Sequence, residues 1–176
     1  YKIGMVHQHF KLIDVFTALE NIVLGIKPEQ NFFQRIFTKK DKRLINKASK
    51  KYARKAVKEI CEKYGFKLDL DKKVFDMSVS EKQTVEIIKV LYRGADILIL
   101  DEVLSVGDGS FRMKSEAKMK EILASGVTGI LVSHSIEQVR NMCNKILWLD
   151  HGKQITFTDN VEVTCDAYEE FLTTKK

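Results

Sequence analysis

The spacing of hydrophobic and polar positions divides the chain into a helical region and an alternating one. Between residues 41 and 64, apolar side chains recur every four residues, which predicts an amphipathic helix that ends at Gly65. A shorter helix is predicted over residues 14–25, and a short strand over residues 2–6. The region 10–75 is therefore expected to form a helical lobe that lies outside the rest of the fold.

From residue 76 onward, short apolar runs alternate with helical segments. Strands are predicted at 95–100, 128–133 and 145–150, the first two of them buried. A turn at Asp150-His151-Gly152-Lys153 leads into a further strand, and a last helix is predicted over 160–172. Such alternation is typical of an α/β fold in which helices flank a largely parallel sheet.

The composition is that of an ordinary globular domain. The 176 residues are 44% hydrophobic and 31% charged, and no apolar run approaches the ~20 residues that a membrane-spanning helix needs. The chain opens with YKIGMVHQ, which lacks both an initiator Met and the pattern of a signal peptide. We therefore expect a protein that does not cross a bilayer and whose first residue is a cut point.

The net charge of +6 comes from one basic segment. Residues 35–58 contain eleven Lys or Arg and a single acid, Asp41, so the segment carries +10 and the remainder of the chain −4. One interpretation is a non-catalytic module that binds nucleic acid or an anionic surface through residues 35–58. The other, which we favour, is the solvated face of a helix in the helical lobe.

Two acids follow the apolar run at 97–100. Asp101 and Glu102 stand at the C-terminal end of a predicted strand, the edge of an open α/β sheet at which ligands bind. One carboxylate can hold Mg²⁺, and its neighbour can orient an attacking water. Two solvated acids at a strand end give the same pattern, so the neighbouring motifs decide between the interpretations.

Further polar groups are expected to work with these acids. His134 ends another predicted strand and can donate a hydrogen bond to a phosphate oxygen, and Gln8 ends the first strand. Ser78 opens a helix with a capping box, and a helix N-terminus binds phosphate through its free amides. Asp108 lies in a turn of small residues. Each has a plain structural explanation, but together they indicate phosphoanhydride hydrolysis.

In this order, the motifs resemble the nucleotide-binding subunit of an ABC transporter. Residues 4–8 resemble its Q-loop, 77–83 its signature motif, 97–102 Walker B with the catalytic glutamate, 105–108 the D-loop and 132–134 the H-loop. Five motifs in family order make the resemblance specific, and it extends over nearly the whole chain. It implies a P-loop NTPase-like parallel sheet, flanked by helices, with an inserted helical lobe.

The resemblance also divides the chain into parts. Residues 1–9 correspond to the end of a core strand and the Q-loop, 10–75 to the helical lobe, 76–159 to the signature helix with the other core motifs, and 160–176 to a C-terminal helix. The first part of the chain, 1–102, looks like the ATPases of simple-sugar and nucleoside importers. The last part, 102–172, looks like ATPases that export polysaccharide or teichoic acid. The sequence leaves import or export open, as well as a natural or chimeric origin.

Two departures from the family concern nucleotide binding. The chain contains no G-x-x-x-x-G-K-[ST], the P-loop whose amides and Lys cradle phosphates. Because the family's P-loop precedes its Q-loop, we expect an N-terminally truncated domain that hydrolyses little ATP by itself. In addition, Ser80 replaces a signature glycine, and its Cβ restricts the approach of the backbone to phosphate.

The resemblance implies roles for particular residues, with ATP and Mg²⁺ as cofactors. Catalytic roles would fall on Glu102, which orients water, on His134, which contacts the γ-phosphate, and on Gln8. Asp101 and Gln8 would hold Mg²⁺. Nucleotide contacts would fall on Ser78, Val79, Ser80 and Asp108, with the signature facing the nucleotide of a second subunit and Asp108 linking the two sites.

The implied partners are those of a transport ATPase. They are a second ATPase subunit in a head-to-tail dimer, transmembrane permease subunits and, as a further candidate, a substrate-binding protein. No nucleic acid is expected among them. The expected location is cytoplasmic, on the inner face of the cell membrane.

Overall fold

The computed structural model describes residues 1–7, 9–26, 42–102 and 109–174. Two predicted site residues, Gln8 and Asp108, lie outside the described residues, as do positions 35–41 of the basic segment.

The order of elements reproduces the predicted change from a helical region to an alternating one. The elements are β1 (Ile3–Val6), α1 (Ala18–Val23), α2 (Lys42–Tyr64), a 3-10 turn (Val74–Asp76), α3 (Val79–Tyr92), β2 (Ile97–Asp101), α4 (Gly109–Ala124), β3 (Thr128–Val132), α5 (Ile136–Met142), β4 (Ile146–Asp150), β5 (Lys153–Thr158) and α6 (Val161–Thr174). Gly65, with φ of 63°, follows α2 as predicted. The left-handed backbone there ends the helix at little cost for a residue without a Cβ.

The first helix is shorter than predicted. The expected span was 14–25, but α1 begins at Ala18 because Thr17 caps it. The hydroxyl of Thr17 accepts a hydrogen bond from the amide of Glu20 at 3.3 Å, and Glu20 Oε2 accepts one from the Thr17 amide at 3.0 Å. This reciprocal capping box fixes the start of the helix. Asp14 and Val15 therefore lie in a turn.

β1, β2 and β3 form a parallel sheet with β2 in the middle, whereas β4 and β5 form an antiparallel pair. In the parallel sheet, Ile3 pairs with Ile97 and Ile97 pairs with Thr128. Paired residues point to the same face, and successive residues alternate between faces. The three strands therefore end at one edge, and their side chains form two distinct faces.

Helices cover one of these faces. Val6, Leu98 and Leu100 are buried there in a core with residues of α3 and α4, namely Ile87, Val90, Met119 and Ile122. At Gly4, α3 approaches so closely that an added Cβ would overlap Cγ1 of Val90. The glycine is thus what lets the helix rest on β1.

The opposite face carries exposed apolar side chains. Ile3 is 66% exposed, and Ile130 and Val132 of β3 are each 50% exposed. The prediction that 128–133 is a buried strand was therefore wrong. An apolar run predicts burial because parallel sheets normally have cover on both faces. Within the described residues, helices pack against only one face.

A second core joins α1, α2 and α3. Its fully buried members include Leu19, Ile22, Val57, Val74, Val85 and Ile88. α3 belongs to both cores, since Val85 and Ile88 pack here while Ile87 and Val90 pack against the sheet. One continuous helix therefore connects the helical region to the sheet.

Candidate functional site

Glu102 and His134 meet at the C-terminal edge of the parallel sheet. Nε2 of His134 lies 2.6 Å from Oε1 of Glu102. The Glu102 amide donates a hydrogen bond to the carbonyl of Val132 at 2.9 Å, which extends the pairing of β2 with β3 by one residue. Two strands that are distant in sequence thus deliver the carboxylate and the imidazole to the same place.

Glu102 has an unusual backbone conformation, with φ of 51°. Non-glycine residues in this region are uncommon and persist where the surroundings hold them. The Glu102 side chain is only 19% exposed, whereas that of His134 is 90% exposed. The Glu102 carboxylate is therefore fixed in place and largely shielded from solvent, whereas the His134 imidazole faces solvent.

Asp101 lies beside this pair, at the last position of β2. It is paired with Val132 and follows Ile97 and Ile99 along the uncovered face of the sheet. Asp101 is half-buried. The structure thus brings Asp101, Glu102 and His134 to one edge of the sheet, as their positions in the sequence predicted.

The turn that carries His134 is fixed by its neighbours. Ser133 Oγ donates a hydrogen bond to Oε1 of the buried Gln138 at 2.8 Å, and the Ser135 amide donates one to Ser133 Oγ at 3.0 Å. Ser135 also caps α5 through the Gln138 amide. Sequence reasoning missed this support, although the Ser-x-x-Gln spacing of a capping motif was available as a signal.

The predicted signature residues form a second group at the start of α3. Ser78 Oγ accepts a hydrogen bond from the Glu81 amide at 3.3 Å, and Glu81 Oε2 accepts one from the Ser78 amide at 2.8 Å, so the predicted capping box is present. The hydroxyls of Ser78 and Ser80 lie 3.0 Å apart, and Val79 is 48% exposed. Solvent-facing hydroxyls therefore surround a helix N-terminus, where the dipole favours anions.

A lysine outside the motif stabilises this cap. Lys72 Nζ donates hydrogen bonds to both carboxylate oxygens of Glu81, at 2.8 and 2.9 Å. Together with the Ser78 amide, this contact holds the pKa of Glu81 below its usual value. Nothing in the spacing of the sequence pointed to Lys72, because the contact spans a loop.

The two groups lie in different packing units. Met77, directly before Ser78, and Val85 of α3 belong to the core of α1, α2 and α3. Leu100, directly before the acidic pair, belongs to the core of the sheet. Among the described residues, no group of three or more His, Cys, Asp or Glu side chains is arranged to hold a metal ion. None of the helices in the described ranges is long and apolar enough to span a bilayer.

Comparison with known proteins identifies the family. The family model described as ABC transporter matches residues 1–105. The nucleoside import ATP-binding protein NupA of Lactococcus lactis is 38% identical over 161 residues, which are 92% of this chain and 28% of NupA. The teichoic acids export ATP-binding protein TagH of Bacillus anthracis is 46% identical over 77 residues, which are 44% of this chain and 14% of TagH. The chain resembles both groups, as predicted, and spans less than a third of either relative.

Solved structures show the same fold. The dimeric structure of MJ0796, a bacterial ABC transporter cassette, superposes with a TM-score of 0.64 at 24% identity, over 89% of this chain and 62% of that one. A nucleotide-free ATP-binding cassette from an ABC transporter gives a TM-score of 0.64 at 18% identity. These likenesses confirm the predicted α/β fold class, and with the family match over residues 1–105 they lead to one conclusion: the chain belongs to the ABC transporter family.

Proposed function

We propose that this chain forms part of an ATP-hydrolysing subunit that drives solute transport across a membrane. The observation that carries the proposal is the 2.6 Å contact between Glu102 and His134 at the end of β2, in a chain of this family. Glu102 orients the attacking water, and His134 donates a hydrogen bond to the γ-phosphate. Positioning and electrostatics of this kind provide most of the catalysis in phosphoryl transfer.

Asp101 is the proposed protein ligand for Mg²⁺, with Gln8 as its companion. The fit rests on the donor chemistry: Mg²⁺ prefers oxygen ligands and is commonly held by one or two carboxylates, with phosphates and waters completing the shell. Asp101 offers such a carboxylate beside Glu102 at the sheet edge. The ion supplies positive charge that neutralises the phosphates during transfer.

Binding the phosphates of ATP requires further protein groups. No P-loop pattern occurs in the 176 residues, so the groups that hold the phosphates come from outside them. The uncovered sheet face, with Ile3, Ile130 and Val132 exposed, and the outer edge of β3 are the surface on which we place that additional segment. The additional segment would cover the second face of the parallel sheet.

The exposed start of α3 is the proposed contact with a second subunit. Ser78, Val79 and Ser80 would face the ATP bound by the partner in a head-to-tail dimer, and Asp108 would link the two sites. The helical region around residues 10–60 would dock the permease. Because NupA is 38% identical over 92% of the chain, whereas the TagH protein of Shouchella clausii, which matches a comparable 89%, is 31% identical, we propose import of a nucleoside or simple sugar before export of a polysaccharide.

Ion pairs within the helical region weigh against nucleic acid as the partner of the basic segment. Lys50 Nζ lies 3.1 Å from Glu20 Oε1, and Arg54 NH1 lies 2.8 Å from Asp71 Oδ2. These cations already face acids of the same chain. This arrangement supports the interpretation that the basic segment is the solvated face of a helix in the helical lobe.

The proposal is tested in the longest protein that contains this chain together with a P-loop, reconstituted with its permease in vesicles. Glu102→Gln is expected to lower ATP hydrolysis by roughly 10²–10³, and uptake of the transported solute with it. Glu121→Gln is the matched control, because Glu121 is an exposed carboxylate of α4 that pairs with Lys118 of the same helix. Near-normal hydrolysis in Glu102→Gln would overturn the catalytic assignment. Permease crosslinks confined to strand β3 would overturn the assignment of the docking surface.

A further inference from the structure

The segment that follows β1 is held by buried side chains instead of a neighbouring strand. The Lys11 amide donates a hydrogen bond to Glu86 Oε1 at 2.8 Å, and Lys89 Nζ donates one to the Lys11 carbonyl at 3.2 Å. Two residues later, the Ile13 amide donates to Asn21 Oδ1 at 2.7 Å, and Asn21 Nδ2 donates to the Ile13 carbonyl at 3.1 Å. Both main-chain polar groups of Lys11 and of Ile13 are therefore occupied. We call residues 11–13 the clamped segment.

The clamping side chains lie in the interior. Glu86 is 0% exposed, Asn21 is 2% exposed, and the side chain of Lys89 is 12% exposed. Lys89 Nζ is 2.7 Å from Glu86 Oε1, so the two charges compensate each other. Buried polar groups are costly unless they are hydrogen-bonded, and such networks tolerate little displacement. A shift of the clamped segment relative to these side chains would break several of the bonds together.

The clamp joins two helices to one segment. Glu86 and Lys89 belong to α3, and Asn21 belongs to α1. Arg93, at the end of α3, also donates a hydrogen bond to the carbonyl of Leu24, at the end of α1, at 2.8 Å. In the sequence, the segment begins three residues after Gln8, and α3 begins at the signature group. The geometry therefore connects the chain near the sheet edge to the helix whose start is exposed.

We propose that Glu86, Lys89 and Asn21 are positioning residues that make the clamped segment, α1 and α3 move as one body. A displacement that begins next to β1 is thereby delivered to the exposed start of α3 at Ser78. The inference rests on the proposed function, because it assigns the clamp to communication between ATP hydrolysis and the transported solute. The three residues act by fixing where the helices lie.

The test replaces both charged partners at once. Glu86→Met combined with Lys89→Met removes the charges together and keeps side chains of similar length, a type of replacement that buried ion pairs often tolerate. It leaves the main-chain groups of Lys11 without their side-chain partners. Ile87→Val is the matched control, because Ile87 lies on the same helix and is buried but packs into the core of the sheet. Asn21→Leu tests the second half of the clamp.

Two readouts are made on the full P-loop-containing protein with its permease. Amide hydrogen exchange at residues 10–14 is expected to be about fivefold faster in the double methionine variant, the factor for the loss of one hydrogen bond, and unchanged in Ile87→Val. Basal ATP hydrolysis should remain, while its stimulation by the transported solute should fall by about fivefold or more. Faster exchange with full stimulation would overturn the coupling role, and unchanged exchange would overturn the clamp itself. If the unaltered protein hydrolyses no ATP, the proposed function fails, and the exchange measurement still decides whether the clamp holds the segment.

Discussion

His134 Nε2 lies 2.6 Å from Glu102 Oε1, although the residues stand at the ends of different strands. The two side chains differ in exposure to solvent, since that of Glu102 is 19% exposed and that of His134 is 90% exposed. A held carboxylate suits the orientation of a water molecule, whose position must be fixed before attack. An exposed imidazole can turn from the carboxylate to a phosphate oxygen when the nucleotide is present. The asymmetry of the pair thus agrees with the separate roles proposed for it.

The first prediction follows from this pair. In a protein that contains the P-loop, Glu102→Gln should keep ATP binding and lower turnover by roughly 10²–10³, the usual loss when one oriented polar group is removed. His134→Ala should behave similarly. Phosphate release measures the rate, and size-exclusion chromatography with ATP should show a trapped dimer. Near-normal hydrolysis by either variant, with an inactive Ser78→Ala, would place the water-activating site elsewhere.

The second prediction concerns the 176 residues alone. They should hydrolyse no appreciable ATP, because the amides and Lys of a P-loop are absent from the sequence. A sensitive phosphate-release assay on the purified chain checks this, with Glu102→Gln as the control for contaminating ATPases. Turnover that disappears in Glu102→Gln would show that the chain is catalytic without a P-loop.

The third prediction contrasts the two faces of the parallel sheet. Ile130→Thr, on the uncovered face, should change the free energy of unfolding by less than about 1 kcal/mol, because the side chain is half exposed and threonine suits a strand. Leu98→Thr, on the covered face, should cost about 2–5 kcal/mol, since it opens a cavity around a buried hydroxyl. Denaturant unfolding measures both.

The uncovered face also predicts self-association. Exposed apolar side chains next to an unpaired strand edge are a common site of aggregation. Ile130→Thr should therefore lower the weight-average mass of the 176-residue chain in sedimentation experiments. Equal destabilisation by the two threonine variants would show that both faces of the sheet are covered in solution.

The sequence predicts the helices and strands better than it predicts what packs against them. The four-residue spacing in α2 and the apolar runs of β2 and β3 follow directly from side-chain periodicity. The exposure of β3 could not be predicted, because an apolar strand has the same sequence whether one face is covered or two. The start of α1 was recoverable, since Thr17 and Glu20 have the spacing of a capping box.

In the candidate site, too, the positions of the residues were predictable but some of their contacts were not. Asp101, Glu102 and His134 were predictable as a group because each follows a parallel strand, and such strands end at a common edge. The contact of Lys11 with Glu86 joins positions 75 residues apart in the sequence. No local pattern specifies which buried carboxylate a loop amide will reach, so the clamp emerges only from the packed structure.

The fourth prediction concerns the close approach of α3 to β1. Gly4→Ala should destabilise the fold by about 1–3 kcal/mol, because its Cβ would overlap Val90 Cγ1 and lie 3.0 Å from Ala95 Cβ. Val90→Ala removes the overlapping group, so the double variant should be more stable than the sum of the single effects implies. Thermal or denaturant unfolding of all four proteins gives the coupling. Strict additivity would show that α3 does not rest on Gly4.

The last prediction is the pH dependence of the cap on α3. The pKa of Glu81 is lowered by its hydrogen bonds with Lys72 and with the Ser78 amide. A carboxyl whose pKa is lower in the folded state binds fewer protons there than in the unfolded state, so its stabilising contribution is present at neutral pH. That contribution is lost as the pH falls from the unfolded value of about 4.3 through the lowered folded value.

Glu81→Gln should therefore be less stable than the unaltered chain at pH 7, and the difference should shrink below about pH 4. Lys72→Met is the matched control, because it removes the larger cause of the shift and leaves the capping box in place. Adding Glu81→Gln to Lys72→Met should change the free energy of unfolding by an amount that depends less on pH. Adding Glu81→Gln to the unaltered chain should give the stronger pH dependence. Denaturant unfolding between pH 3 and 8, together with NMR titration of the Glu81 carboxyl, measures both quantities. A stability difference that stays constant down to pH 3 would show that Glu81 does not act through its charge, and that Lys72 does not stabilise the start of the signature helix.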